Sequence, residues 1–317
     1  MNLNKNLVQL SGDASFRKFY RIKNKRSILV FSEKEKKNNL LIYDAVNRLL
    51  IKNKIKAPKL KKQNYKKNSI EIEDLGDQSV FDILIKNKNC KINLYFKVVS
   101  ILSKLQKIKN KKIITFKKNS YLIPKYTNKM LYKESKLFLD WYVPNIIKKN
   151  NRKIINKKII KIIKVLISNL KNKKKVFVHR DFHVSNMMYL KNKIFLIDGQ
   201  DAVYGNIAYD LASLIDDVRI KTTHKEKEKI FSKYAKLNTS INLHDFRNDF
   251  EILSVLRNLK IIGIFTRLSV RDKKNKYLKL IPYAWKLIEQ RIKKNPNFYD
   301  LKEVLKKYFS RRIRKKI

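Results

Sequence analysis

The chain has 317 residues, of which 44% are hydrophobic and 11% aromatic; this supports a sizeable buried core and excludes an intrinsically disordered protein. With 77 Lys+Arg against 26 Asp+Glu, the formal net charge is +51, a field that attracts polyanions, yet no RRM-like aromatic motif, zinc-finger spacing or DNA-reading helix accompanies it. Lysine, asparagine and isoleucine recur along the whole chain, as drift in an A+T-rich genome produces, so the expected partners include no specific nucleic acid and only weak, nonspecific polyanion binding.

The opening MNLNKNLVQLSGD lacks the long apolar core of a signal peptide. Residues 16–22 (FRKFYRI) and 27–31 (SILVF) are aromatic or β-branched runs joined by a polar turn and predict a hairpin. From 35 to 52 the residues Leu40, Leu41, Tyr43, Val46, Leu49 and Leu50 recur at helical spacing, so one helix face packs on that hairpin until Pro58 prevents continuation. KLKKQNY (59–65) and NSIEIEDLGD (68–77) read as two further strands, which completes a small α+β lobe over residues 1–75. A hinge near 74–78 then leads into a mainly helical lobe over 76–317, with apolar stripes at 79–88, 91–109, 130–147 and 152–170. The only cysteine, Cys90, excludes a disulfide framework and any CxxC site and fits a reducing cytoplasm.

The helix at 152–170 (RKIINKKIIKIIKVLISNL) suits a membrane surface or RNA by its charge, but also a core helix whose isoleucines are buried while its lysines stay in water. VFV (176–178), MMYL (187–190) and IFLI (194–197) are short buried strands, the last two joined by a tight turn, and helices resume from 208, including 245–268 and 275–292. Runs such as IIGIF (261–265) are far too short to span a bilayer, so a soluble cytoplasmic protein without a membrane span is expected.

Around those strands, HRDFHVSNMMYLKNKIFLIDGQD (179–201) places three acids, Asp181, Asp198 and Asp201, and Asn186 within twenty-odd positions. Phosphoryl transfer needs a carboxylate to orient the attacking hydroxyl and accept its proton, and an amide with a second carboxylate to hold magnesium across the phosphates. Asp181, Asn186 and Asp198 fit those roles in that order, around a strand–turn–strand unit. Turn residues flanking strands would account for Asn186 or Asp198 singly, but not for the ordered set.

The stretch resembles the catalytic and metal loops of the aminoglycoside phosphotransferase/choline kinase superfamily. LSGDASFRKFYRI (10–22), IEDLGD (72–77), YLIPKYTNKMLYKESKLFLDWYV (121–143), HRDFHVSN (179–186) and DGQDAVYGNIAYDLASLIDD (198–217) are similar, in order, to segments of its bacterial N-acetylmuramate/N-acetylglucosamine kinases. The resemblance implies an α+β, bilobal protein-kinase-like fold with a small β-rich N-lobe for nucleotide and a larger, mainly helical C-lobe for catalysis and substrate. It implies an ATP- and Mg2+-dependent kinase that phosphorylates the anomeric hydroxyl of an amino sugar in cell-wall recycling. Two other readings stay open: another small acceptor, namely choline, homoserine or an aminoglycoside, and a basic nucleic-acid-binding protein on a silent kinase fold.

Carried over by position, Asp181 resembles the catalytic base, and Asn186 and Asp198 resemble metal ligands. Ser11, Gly12, Asp13, Ala14 and Ser15 look like the nucleotide phosphate loop, with Glu73, Asp74 and Leu75 as the hinge whose backbone contacts adenine. Asp201, Trp141 and Glu134 are candidates for the sugar site, although Trp141 serves equally as a core residue. His179 and Arg180 are expected to be scaffold, and Asp210 to cap a helix over 211–217. There are two departures. Gly199 replaces an aromatic residue, which implies looser packing behind Asp198, and SILVF has no phosphate-gripping lysine, a role for which Lys25 and Lys34 are unassigned substitutes.

Overall fold

The structure is a computed structural model and describes residues 6–10, 16–87, 91–293 and 295–315. The expected phosphate loop, Ser11 to Ser15, and the lone Cys90 lie outside the described residues.

Strands β1 (Leu7–Leu10), β2 (Lys18–Ile22) and β3 (Ser27–Phe31) run antiparallel, with Leu10 opposite Phe19 and Phe19 opposite Val30. Helix α1 (Asn38–Lys52) follows, and all six apolar residues of the predicted stripe are buried. Strands β4 (Leu60–Asn64) and β5 (Ser69–Glu73) complete a five-stranded sheet in the order β1-β2-β3-β5-β4. Val30, Ile70 and Ile72 from the sheet meet Leu40 and Tyr43 from α1 in one cluster, so burial on both surfaces holds the helix to the strands.

Ser79 opens α2 (Val80–Lys86) with a capping box: its hydroxyl accepts from the Asp82 N–H at 3.1 Å, and Asp82 Oδ2 accepts from the Ser79 N–H at 2.9 Å. After α3 (Lys91–Leu105), β6 (Lys112–Ile114) and β7 (Ser120–Leu122) form a hairpin at a place with no sequence signal for strands. The predicted helix at 130–147 is broken into α4 (Asn128–Ser135), a π-helical turn (Phe138–Tyr142) and α5 (Val143–Ile146). Helix α6 (Lys149–Ser168) buries Ile155, Ile159, Ile162, Ile163, Leu166 and Ile167, as the core reading of this basic helix requires.

Strands β8 (Lys175–Val178), β9 (Met187–Leu190), β10 (Lys193–Leu196) and β11 (Val203–Asn206) come next. Lys191 and Asn192 join β9 to β10 with φ of 48° and 58°, the left-handed pair that matches the twist of a two-residue hairpin. The remainder is helical: α7 (Tyr209–Ile215), α8 (His224–Leu237), α9 (Leu243–Val270), α10 (Ile281–Ile292), α11 (Tyr299–Tyr308) and α12 (Arg311–Arg314). Because α7 starts at Tyr209, its N-cap is Ala208 and Asp210 does not cap it; the carboxylate is instead fully buried in the first turn, where free amide donors favour a negative charge.

Two compact units emerge, Met1–Pro124 with Val176–Tyr204, and Lys125–Lys175 with Gly205–Ile317. In the second, Gly263 of α9 lies so close to α4's continuation that an added Cβ would stand 2.3 Å from the Leu137 carbonyl carbon and 2.6 Å from the Phe138 nitrogen. This contact abuts the start of the π-helical turn. Backbone cannot yield as a flexible side chain does, so Gly263→Ala is expected to cost about 3 kcal/mol, read as a lowered midpoint in chemical unfolding. No helix among the described residues is long and apolar enough to cross a membrane.

Candidate active site

Asp181, Asn186, Asp198 and Asp201 all belong to the first compact unit. Strand β8 ends at Val178 and delivers His179, Arg180 and Asp181; a single helical turn, Val184–Asn186, then leads into β9. The β9–β10 pairing sets Met187 opposite Leu196, and the Ile197 N–H donates to the Asn186 carbonyl at 3.1 Å. Asn186 and Asp198 therefore stand at the same end of the hairpin. The Asn186 side-chain amide donates to the Asp181 carbonyl at 3.0 Å, which ties the third residue to the same end.

Two residues of these loops hold left-handed backbone, Arg180 at φ 71° and Asp198 at φ 67°. Such conformations are uncommon outside glycine and persist where surrounding contacts over-determine them, here re-aiming the chain as it leaves each strand. Beneath the loops His179 is 1% exposed. Burial lowers the pKa of its imidazole, against the charges of Asp181, Asp198 and Asp201, all three close enough to act on it. The ring is thus packed beneath the loops, with burial opposing its protonation.

Gly199 does not leave loose packing behind Asp198. A Cβ there would meet Val46 Cγ1 at 3.2 Å and His179 Nε2 at 3.6 Å, so α1 and the buried histidine already occupy the space that an aromatic residue would need. Gln200 follows, and its amide donates to Asp198 Oδ1 at 3.2 Å and to Asp201 Oδ2 at 2.9 Å. Arg180 reaches the Asp201 carbonyl at 3.4 Å. Near it lies Tyr121 of β7, whose phenol is pushed up first by burial and then by the negative charge of Asp201.

The sequence reading did not nominate Arg17, which the fold brings to Asp198. This guanidinium, 4% exposed, forms an ion pair with Asp198 Oδ1 and donates to Gln200 Oε1 at 2.8 Å. Its place in FRKFYR, directly after the candidate phosphate loop, was the only available signal. Tyr121 carried none, because the β6–β7 hairpin that presents it was not foreseen.

At the hinge, Arg21 of β2 grips Asp74 with Nε at 2.6 Å and Nη2 at 3.1 Å, and reaches Asp77 at 2.7 Å. Burial pushes the Asp74 carboxyl up, but the hydrogen bonds from Arg21 and the Gly76 N–H hold it below the ordinary aspartate value. The Glu73 and Asp74 amides donate to the Lys59 and Arg26 carbonyls at 2.9 and 3.2 Å. Both are thus committed within the unit.

Glu134 and Trp141 belong to the second unit. There Glu134 accepts from Lys260 Nζ at 2.8 Å and from the Tyr126 hydroxyl, which itself lies 3.1 Å from that of Tyr209. Its carboxylate is engaged in an internal cluster. Trp141, half-buried on the π-helical turn, accepts from the Asn145 side-chain amide at its carbonyl, 2.6 Å away, and Asp140 pairs with Lys136.

The donor set suits a hard divalent cation. The nitrogen of the Asn186 side chain is held by a carbonyl, which leaves its oxygen as the ligand atom, and the Asp198 side chain is 38% exposed. Among the described residues no three His, Cys, Asp or Glu groups form a metal cluster. One carboxylate and one amide oxygen match magnesium, which keeps several waters and needs few protein ligands, better than zinc or calcium.

Residues 6–238 match the family model of the phosphotransferase enzyme family, APH. The chain is 26% identical over 306 residues to an N-acetylmuramate/N-acetylglucosamine kinase of Pseudomonas putida, covering 94% of this chain and 87% of the relative. With the kinase of the same name from Neisseria meningitidis it shares 27% over 289 residues, covering 87% and 82% of the two chains. Among solved structures, a choline/ethanolamine kinase family protein of Mesorhizobium loti aligns with a TM-score of 0.62 at 10% identity, over 95% of this chain and 92% of that one. ADP-bound aminoglycoside phosphotransferase APH(2'')-Ib aligns at 0.60 and 16% identity, over 91% and 93%. At such identities the likeness speaks for the fold, which is the protein-kinase-like α+β fold expected from the sequence.

Proposed function

Because this chain belongs to the phosphotransferase enzyme family, we propose that it transfers the γ-phosphoryl group of ATP to the anomeric hydroxyl of an amino sugar of the N-acetylmuramate/N-acetylglucosamine type. The setting is cytoplasmic recycling of cell-wall sugars, with residues 1–75 as the nucleotide lobe and 76–317 as the lobe for catalysis and substrate. The phosphotransferase activity follows from the family; the sugar is supported by the names of the relatives. The observation that carries the reading is the gathering of Asp181, Asn186 and Asp198 at one end of the β9–β10 hairpin, where Asn186 bonds the Asp181 carbonyl at 3.0 Å and accepts at 3.1 Å from Ile197, the neighbour of Asp198.

In this reading Asp181 accepts a hydrogen bond from the acceptor hydroxyl, aims its oxygen at the γ-phosphorus and takes its proton as the new O–P bond forms. The bond from the γ-phosphorus to the bridging oxygen breaks, and ADP leaves. Magnesium held by Asn186 and Asp198 would supply positive charge against the charge growing on the transferred group and on the leaving oxygen. Asp201, on the turn that follows, is the candidate for a second sugar hydroxyl, with Tyr121 beside it. Ser11 to Ser15 are the candidate phosphate loop. Leu75, with Glu73 and Asp74, is the candidate hinge for adenine.

The test is a panel of acceptors. Purified protein, ATP and magnesium are incubated separately with N-acetylmuramate, N-acetylglucosamine, choline, homoserine and an aminoglycoside, and the products are read by phosphorus NMR. Phosphate coupled to the anomeric proton of either sugar is the expected result. Transfer to choline, homoserine or the aminoglycoside with neither sugar phosphorylated would overturn the sugar assignment.

A further inference from the structure

Strand β3 reads SILVF, so no lysine projects from it toward a nucleotide, yet a phosphate-transferring site needs a fixed cation. We propose that Arg17 is that cation and that it has two alternating partners. Without nucleotide it holds Asp198; with nucleotide it releases Asp198 to a divalent cation and takes the phosphates, so that metal and nucleotide bind cooperatively. The inference rests on the reading of Asp198 as a metal ligand.

The geometry points this way on three counts. Arg17 is the last residue before β2 and follows, in sequence, Phe16 and the candidate phosphate loop. Its guanidinium is nine-tenths buried and spans the metal-loop turn, with Nη2 on Asp198 and Nη1 on Gln200 Oε1 at 2.8 Å, while Gln200 itself donates to Asp198 at 3.2 Å. The group also rests on the faces of Tyr43 and Phe19, 5.1 and 5.7 Å from the ring centroids. These contacts favour a cation and restrain its swing to a short arc.

The energetic consequence is competition. Asp198 Oδ1 is neutralised by a guanidinium, so a metal ion arriving alone meets a carboxylate whose charge is already matched and a positive neighbour that repels it. A triphosphate offers Arg17 equivalent anionic acceptors in the planar, forked geometry that arginine prefers. Once the guanidinium moves to the phosphates, Asp198 is free for the metal. By linkage, nucleotide must raise metal affinity by the same factor by which metal raises nucleotide affinity. A residue that merely bolted the turn to β2 would show no such reciprocity.

The experiment measures two bindings that the proposal moves in opposite directions. Manganese binding to nucleotide-free protein is followed by electron paramagnetic resonance, and MgATP binding by calorimetry, in wild type, Arg17→Met and Arg17→Lys, with thermal melts to establish folding. Arg17→Met is expected to tighten manganese alone and to weaken MgATP, each by about 10-fold or more, within the usual range of coupling between sites. Arg17→Lys, which keeps the charge but loses the fork, should shift both in the same senses by roughly 3-fold, and it decides the matter if the methionine variant does not fold. Manganese affinity that is unchanged or weaker in the variant, or MgATP affinity that is unaffected, overturns the proposal. A further arm adds Asp198→Asn to Arg17→Met. If manganese still binds there, the metal assignment itself fails; if it is lost while Arg17→Met alone shows no tightening, only the Arg17 inference fails.

Discussion

With asparagine in place of Asp181, phosphoryl transfer is expected to fall by about 10³-fold while MgATP binding persists. The substitution keeps shape and removes only the charge and the proton acceptor. The bonds that shape this loop use the main-chain oxygen of Asp181, which accepts from the Asn186 side-chain amide at 3.0 Å and from the His183 N–H at 3.0 Å, so they survive the change. Beneath it, His179 loses one of three carboxylates whose charge opposes the lowering of its pKa by burial. A coupled assay of ADP release gives kcat, and calorimetry gives nucleotide affinity. Turnover near the wild-type value in Asp181→Asn would remove Asp181 from the chemistry.

Asp216→Asn should be the most damaging substitution for stability in the second unit. Asp216 is 1% exposed and accepts from Lys227 Nζ at 2.6 Å, from Arg291 Nε at 2.8 Å and Nη2 at 3.0 Å, and from the Ser254 hydroxyl at 2.5 Å. Neutralising it takes from two buried cations, Lys227 at 2% and Arg291 at 8% exposure, the carboxylate that both of them bond. Breaking one side of a buried ion pair costs about 3–5 kcal/mol, which corresponds to a Tm lower by roughly 10 °C for a chain of this size.

The same group predicts an acid limit to stability. Burial raises the Asp216 carboxyl, but Arg291 and Lys227 outweigh it and hold the group well below the ordinary aspartate value. A depressed folded-state pKa means that the stabilisation is complete above the unfolded value of about 4 and is lost as pH falls below it. Wild-type Tm should therefore decline steeply below about pH 4, and Asp216→Asn should show a shallower decline over the same interval. Parallel curves for the two proteins would assign acid lability to other carboxylates.

Much of this was visible in one dimension because it depends on neighbours along the chain. The stripe from Leu40 to Leu50 repeats at the helical period, and the Lys191–Asn192 turn sits between two apolar runs, so α1 and the β9–β10 hairpin follow from local spacing alone. The candidate site was legible for the same reason: Asn186 and Asp198 flank a short hairpin, and Asp181 lies in the loop that leads into it. Strand β1 and the β6–β7 hairpin were not, since LVQL, KII and SYL are too short for alternation to be distinguished from loop. Their strand character comes from a partner edge that completes their hydrogen bonds. The cap expected of Asp210 failed by a shift of the helix start, the kind of boundary that spacing defines least well.

What the amino-acid order determined, then, is most of the elements and the hairpin around which the candidate residues lie. What the tertiary structure decided is how groups remote in the chain are matched: Arg17 with Asp198 across 181 positions, Gly263 against the Leu137 backbone, and Asp216 with Lys227 and Arg291. The reason is the range of the forces involved. Helix and turn preferences act over a few residues of chain, whereas an ion pair or a steric contact depends only on distance in space, and that distance does not exist until the chain has folded.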